Sequence, residues 1–112
     1  MPTKEKFLGE FEHMLMLALI QLKDQAYGAK IRQLLDSEIS RSVAIGAIYS
    51  TLERLEKKGM VSSRLGESTP ERGGRAKRYF SVTAEGEAAL KRAKDAMDTL
   101  WQGISIRQAS LT

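Results

Sequence analysis

The sequence predicts a mainly α fold with a β-hairpin, in the order helix, helix, helix, hairpin, helix. Three observations carry this reading. Apolar residues recur at three- and four-residue steps in the first half of the chain. After Gly59 the pattern changes to two β-suited runs separated by a glycine-rich spacer. Beyond Thr83 helical spacing returns. With 112 residues the chain has room for one domain and one additional helix.

Phe7, Leu8, Phe11, Met14, Leu15, Ala18 and Leu22 define the first helix by their spacing. Residues 14–20 are apolar all round, which predicts burial on more than one side. Lys23, Asp24 and Gln25 form a polar break. A shorter helix follows, opened by Tyr27-Gly28, with Ile31, Leu34 and Leu35 on its inner face. Residues 37–42 are polar apart from Ile39 and read as a loop, with a short strand near 41–43.

The third helix is expected over about residues 44–58. Ile45, Ile48, Leu52 and Leu55 fall within about 80° of arc at 100° per residue. Gly59 ends the helix as a left-handed cap, and Lys57 and Lys58 stand where the helix dipole favours cations. Its N-cap is either missing, since Ala44 has no acceptor, or supplied by Ser42.

Residues 60–65 and 77–83 read as strands. The spacer between them carries three glycines and one proline, the composition of a hairpin loop. Phe80 and Val82 take one face of the second strand; Tyr79, Ser81 and Thr83 take the other. Thr83 then caps a final helix with Glu85 and Glu87 in its first turn. Three helices followed by a hairpin is the layout of a winged helix-turn-helix. Residues 1–83 read as this domain, and 84–112 as a C-terminal dimerisation helix and tail.

Composition narrows the function. There is no cysteine and one histidine, His13, so cysteine-ligated and multi-histidine metal sites are excluded. No glycine-rich phosphate loop follows a strand, and no nucleophile–base pairing emerges, so the chain reads as no enzyme and calls for no cofactor. The longest apolar stretch is seven residues and the N-terminus lacks a secretory signal, so no membrane partner is expected and the location reads as cytoplasmic. Net charge is +4, and residues 41–78 hold nine basic against four acidic side chains. The excess therefore sits in the middle third, as a polyanion contact on one side of the fold requires.

Opposite the apolar stripe of the third helix stand Gly46, Ser50, Arg54 and Lys57. Short residues let a backbone approach base edges, and arginine can donate two hydrogen bonds to guanine. Glycine within a helix costs about 1 kcal/mol relative to alanine. Two readings account for Gly46: close approach of DNA, or a tight contact inside the protein. Arg72, Arg75, Lys77 and Arg78 fall within seven residues of the hairpin with no acid among them, suited to phosphates or the minor groove.

These residues also resemble a family. Tyr27-Gly28, Ile45-Gly46-Ala47-Ile48-Tyr49-Ser50-Thr51-Leu52, Leu55-Glu56-Lys57-Lys58-Gly59-Met60-Val61, Gly73-Gly74-Arg75-Ala76-Lys77-Arg78-Tyr79-Phe80 and Val82-Thr83 with Gly86 are similar to the PadR family of bacterial transcriptional regulators, short subclass. The resemblance spans about residues 7–100. It implies a homodimeric winged-helix protein that binds a palindromic double-stranded DNA operator, usually as a repressor. It carries DNA contact to Gly46, Tyr49, Ser50 and Arg54 on the helix and to Arg75 and Lys77 on the wing, beside Arg72. Two departures stand out: Ala44 where many relatives have serine, and Ser50 where they have proline. Tyr49 has two readings, packing at the stripe's edge or a hydroxyl on a phosphate.

Leu90, Ala93, Met97, Leu100 and Ile104 are spaced 3, 4, 3 and 4, a heptad seam. It either joins a second copy, with Phe7, Phe11 and Trp101, or packs on the chain's own first helix. Trp101 and Met97 fit a site for a small aromatic effector, as in some short relatives, or plain packing. The competing function is a winged-helix protein–protein module, which steep salt dependence of DNA binding would exclude.

Overall fold

The computed structural model describes residues 8–66 and 76–106. Helix α1 (Glu10–Leu22) runs through a single 3-10 turn (Lys23–Gln25) into α2 (Gly28–Ile39) and α3 (Ile45–Lys57). Strands β1 (Val61–Leu65) and β2 (Arg78–Val82) pair antiparallel, with Val61 opposite Val82 and Leu65 opposite Arg78. Helix α4 (Ala84–Trp101) closes the order that the sequence predicts. No helix among the described residues is long and apolar enough to cross a membrane.

The core forms where the inner faces of the three N-terminal helices meet the hairpin. Leu15, Met16 and Leu19 of α1, Ile31 of α2, and Ile48, Leu52 and Leu55 of α3 are buried around Phe80. The 3–4 spacing read for α3 is thus a core stripe, except at Ile45. That residue is 38% exposed because it opens the helix, a turn before neighbouring elements close over the stripe.

Local chemistry sets the boundaries. Helix α3 has no side-chain N-cap: Ala44 fills the position and Ser42 does not reach it. At its other end Met60 N–H donates to the Leu55 carbonyl and Gly59 N–H to that of Glu56, with Gly59 at φ +80°. This is a Schellman closure, which needs a left-handed residue. Thr83 accepts from Gly86 N–H at 3.1 Å to cap α4 and donates through the same hydroxyl to the Gly59 carbonyl at 2.7 Å. The start of α4 is therefore fixed to the turn that ends α3.

Three sequence expectations require correction. Residues 37–39 belong to α2, which continues until Ser40 adopts φ +54° as a left-handed cap. Extended pairing occurs not near 41–43 but at Tyr27, which bridges Tyr79, while Phe80 N–H donates to the Ala26 carbonyl at 2.9 Å. The Tyr-Gly pair thus adds a brief third lane to the hairpin before α2 begins. The apolar run of α1 is only partly buried, because no described element covers Leu17 and Ile20.

A part-buried ion pair joins the start of α1 to the end of α3. Glu12, three residues into α1, accepts from Gly9 N–H at 3.1 Å and from Lys58 Nζ at 3.0 Å. Burial pushes its carboxyl up, but Lys58 and the Gly9 amide outweigh this and hold it below the ordinary glutamate range. A carboxyl whose pKa is lowered by folding stabilises above its unfolded value, and that contribution disappears as pH falls through the folded one. Glu12→Gln is therefore expected to lose about 1–2 kcal/mol at pH 7. As pH falls through the lowered folded-state value, the deficit should shrink and the variant approach the parent protein. Urea titrations at pH 7 and in acid test this; an equal deficit at both would mean that shape, not charge, is what was lost.

Candidate nucleic-acid interface

Helix α3 presents one face outward beside the hairpin. Gly46, Ser50, Arg54 and Lys57 all lie exposed along it. Ser50 Oγ donates to the Ala47 carbonyl at 3.2 Å, and Arg54 reaches back to Thr51 Oγ1 at 3.4 Å. These are weak local contacts that an external acceptor could replace.

Of the two readings of Gly46, the structure removes the internal one. A Cβ built on Gly46 has nothing within 4 Å, so nothing in the described fold requires glycine there. Tight internal glycines stand elsewhere, at Gly28, Gly66 and Gly86, and Gly28 bears on α3. A Cβ on Gly28 would collide with the Tyr49 hydroxyl and ring edge. Tyr49 is half-buried against the first turn of α2, its ring 6.2 Å from that of Phe80 at an interplanar angle of 53°. The packing reading of Tyr49 therefore describes its ring. Gly28 and Tyr49 lie 21 positions apart, and no local pattern in the sequence pairs them.

The basic field divides into paired and unpaired cations. Arg41 bonds Glu10 at 3.3 Å and lies over the Phe11 ring; Lys58 pairs with Glu12. Arg78 reaches Glu56 at 3.1 Å and Ser63 Oγ at 3.1 Å, while Ser63 donates to the other Glu56 oxygen at 2.8 Å. These three cations serve the fold. Arg54, Lys57, Arg64 and Lys77 make no ion pair among the described residues. Arg72 and Arg75 lie outside the described residues, as does Phe7.

Arg64 and Lys77 stand at the loop end of the strand pairing, over the Tyr79 and Tyr27 rings. Gly66 N–H donates to the Lys77 carbonyl at 2.7 Å and extends the strand pairing by one residue. Sequence reasoning missed Arg64 as a site candidate because it stands in β1 away from the Arg/Lys-rich segment. Its signal was alternation: Ser62, Arg64 and Gly66 share one strand face.

At the far end, only the first turns of the heptad seam are covered. Leu90 is buried and Ala93 half-buried, whereas Met97 (57%), Leu100 (70%) and Trp101 (52%) are exposed. Helix α4 ends at Trp101, before Gly103 at φ +77°, so Ile104 lies beyond the helix and does not continue the seam in helical register. Lys91–Asp95 and Lys94–Asp98 ion pairs lie on the polar side. On α1, Leu17 and Ile20 are exposed as well, and Phe11 is half-buried beneath Arg41.

Gly28→Ala is expected to cost about 1–3 kcal/mol through overpacking. Most of that penalty should vanish in a Tyr49→Ala background, where the colliding ring is gone. Chemical denaturation of the parent, both single variants and the double variant measures this coupling. Simple additivity would contradict it.

With this geometry in view, comparison with known proteins is specific. Residues 16–92 match the transcriptional regulator PadR-like family. A PadR-like transcription factor from Bacteroides fragilis is 30% identical, with 80% of this chain and 82% of that one covered at a TM-score of 0.70. A PadR family transcription regulator from Clostridium difficile R20291 is 26% identical, covering 80% and 90% at 0.61. A PadR-like transcriptional regulator from Bacillus cereus ATCC 14579 shares the fold at 23% identity, covering 84% and 93% at 0.63. No curated protein matches the chain significantly.

Proposed function

The chain belongs to the PadR-like family of transcriptional regulators, and on that premise we propose that it binds a palindromic DNA operator as a homodimer and represses transcription there. The observation that carries this reading is Gly46: a glycine in the first turn of α3 with no packing reason, on an exposed face shared with Ser50 and Arg54. A missing side chain at that point lets a groove edge approach the helix backbone. Ser50 and Arg54 then read base edges, with the Tyr49 hydroxyl close by. Lys77, together with Arg72 and Arg75 of the wing, holds the phosphate backbone.

Dimerisation follows from the apolar surface left over. Met97, Leu100 and Trp101 on α4 and Leu17 and Ile20 on α1 are too many large apolar side chains to leave in water on a small domain. A second copy related by a two-fold axis covers them and places two α3 helices on half-sites about 10 bp, or a multiple, apart. Phe11, Leu90 and Ala93 border this contact, and Phe7 and Ile104 extend it. Trp101 and Met97 give it an aromatic and thioether surface on which a flat aromatic effector could stack between subunits.

The test is selection of genomic fragments by the purified protein, followed by affinity measurement across a salt series. One recovered palindrome with affinity falling steeply with salt is expected; weak, sequence-blind binding would contradict the proposal. On that operator, Ser50→Ala and Arg54→Ala should relax discrimination at particular bases by about 1–3 kcal/mol. Lys77→Ala should weaken binding to all sequences alike. Leu100→Asp, at an exposed position, should leave the fold intact, yield a monomer by sedimentation and weaken operator binding. A variant that stays dimeric would sink the α4 interface.

A further inference from the structure

We propose that two tyrosines at the loop end of the strand pairing, Tyr27 and Tyr79, hold Lys77 and Arg64 in place as a preset pair of phosphate-binding cations, with Tyr27 the positioning residue for Lys77. This rests on the DNA-binding reading above and adds Arg64, Tyr27 and Tyr79 to the contact surface.

Tyr27 stands before the first turn of α2 and bridges Tyr79 of β2, and their rings meet edge to face at 5.5 Å and 74°. Each ring carries one cation on its face. Lys77 Nζ is 4.3 Å from the Tyr27 ring centroid, and the Arg64 guanidinium carbon is 4.7 Å from that of Tyr79. Both distances lie within the range of a cation–π contact. Both cations are exposed, and neither has a carboxylate partner among the described residues.

That combination is informative. A structural arginine in this fold looks like Arg78, locked to Glu56 and Ser63. Arg78 also lies over a ring, that of Phe80 at 5.4 Å, but Arg64 and Lys77 rest on aromatic faces with no carboxylate partner among the described residues, so the rings restrict them without neutralising their charge. A lysine in water loses rotamer freedom when it docks on a phosphate; one already lying on a ring has less to lose. The platform itself is fixed. The Phe80 amide bonds Ala26, and Gly66 packs so close that any Cβ there would strike the Tyr79 ring. The anion this arrangement fits is the DNA backbone alongside the recognition helix, because both cations occupy the junction between the wing and the start of α2.

The experiment uses the full-length protein and the selected operator across a salt series. Lys77→Gln and Arg64→Gln leave the rings intact and should each lower the slope of log affinity against log salt by about 0.9 per protomer. Tyr27→Leu keeps every charge, so it should retain the slope yet bind about three- to tenfold more weakly, on the scale of a lost cation–π contact. Tyr27→Phe keeps the ring and should bind as the parent does. In a Lys77→Gln background, Tyr27→Leu should have no further effect. A full additional loss in that background would assign Tyr27 a general structural role and overturn its part. Unchanged salt slopes for both glutamine variants would overturn the proposal even if Tyr27→Leu fails to fold. If those slopes hold while Arg54→Ala still alters base preference, the DNA-binding reading stands and this inference alone falls. Absence of DNA binding by the parent overturns both.

Discussion

The fold turns on the residues 26–28, where three elements meet within a few ångströms. The Ala26 carbonyl accepts from Phe80 of the wing, Tyr27 pairs with Tyr79, and Gly28 makes room for the Tyr49 ring of α3. The angle between α2 and α3 and the placement of the wing beside them are therefore set by one local arrangement. A side chain at Gly28 would disturb all of it, since the ring it displaces also packs on Phe80. The exposed face of α3 is presented beside the hairpin because of this junction.

A second constraint ties the other end of α3 to the same hairpin. Glu56, Ser63 and Arg78 link the helix to both strands, and Thr83 links the strand end to Gly59. Pairs this exposed contribute little stability by themselves. Their effect is on charge distribution and rigidity. With Arg41, Lys58 and Arg78 matched to carboxylates, the basic field narrows, among the described residues, to cations on α3 and at the loop end of the hairpin. A polyanion meeting this domain encounters charge on α3 and on the hairpin.

Much of this was legible in the sequence where a single local rule decided the outcome. The 3–4 spacing of Ile48, Leu52 and Leu55 matches a core stripe, and Thr83 caps α4 through the amide three residues on. Elements failed to declare themselves where tertiary context won. Residues 37–39 look like loop by composition but extend α2, because a left-handed Ser40 can terminate it later. Glu12 and Lys58 are 46 positions apart, and no periodicity connects them. Gly46 was visible as an anomaly, but only the empty space around it separates an external contact from an internal one. The helical register of the α4 spacing holds through Leu100 and not beyond, since Gly103 changes the backbone direction before Ile104.

The central claim is that the exposed face of α3 lacks a side chain at residue 46 for the sake of a DNA surface. Gly46→Ala tests it most directly when thermal stability and operator affinity are measured on the same preparation. The added methyl meets nothing among the described residues and restricts the unfolded chain, so the variant should gain about 0.4–1 kcal/mol in stability. Affinity for the operator should fall about tenfold, the scale of one lost base contact. A variant that melts higher and binds as tightly as the parent would contradict the account.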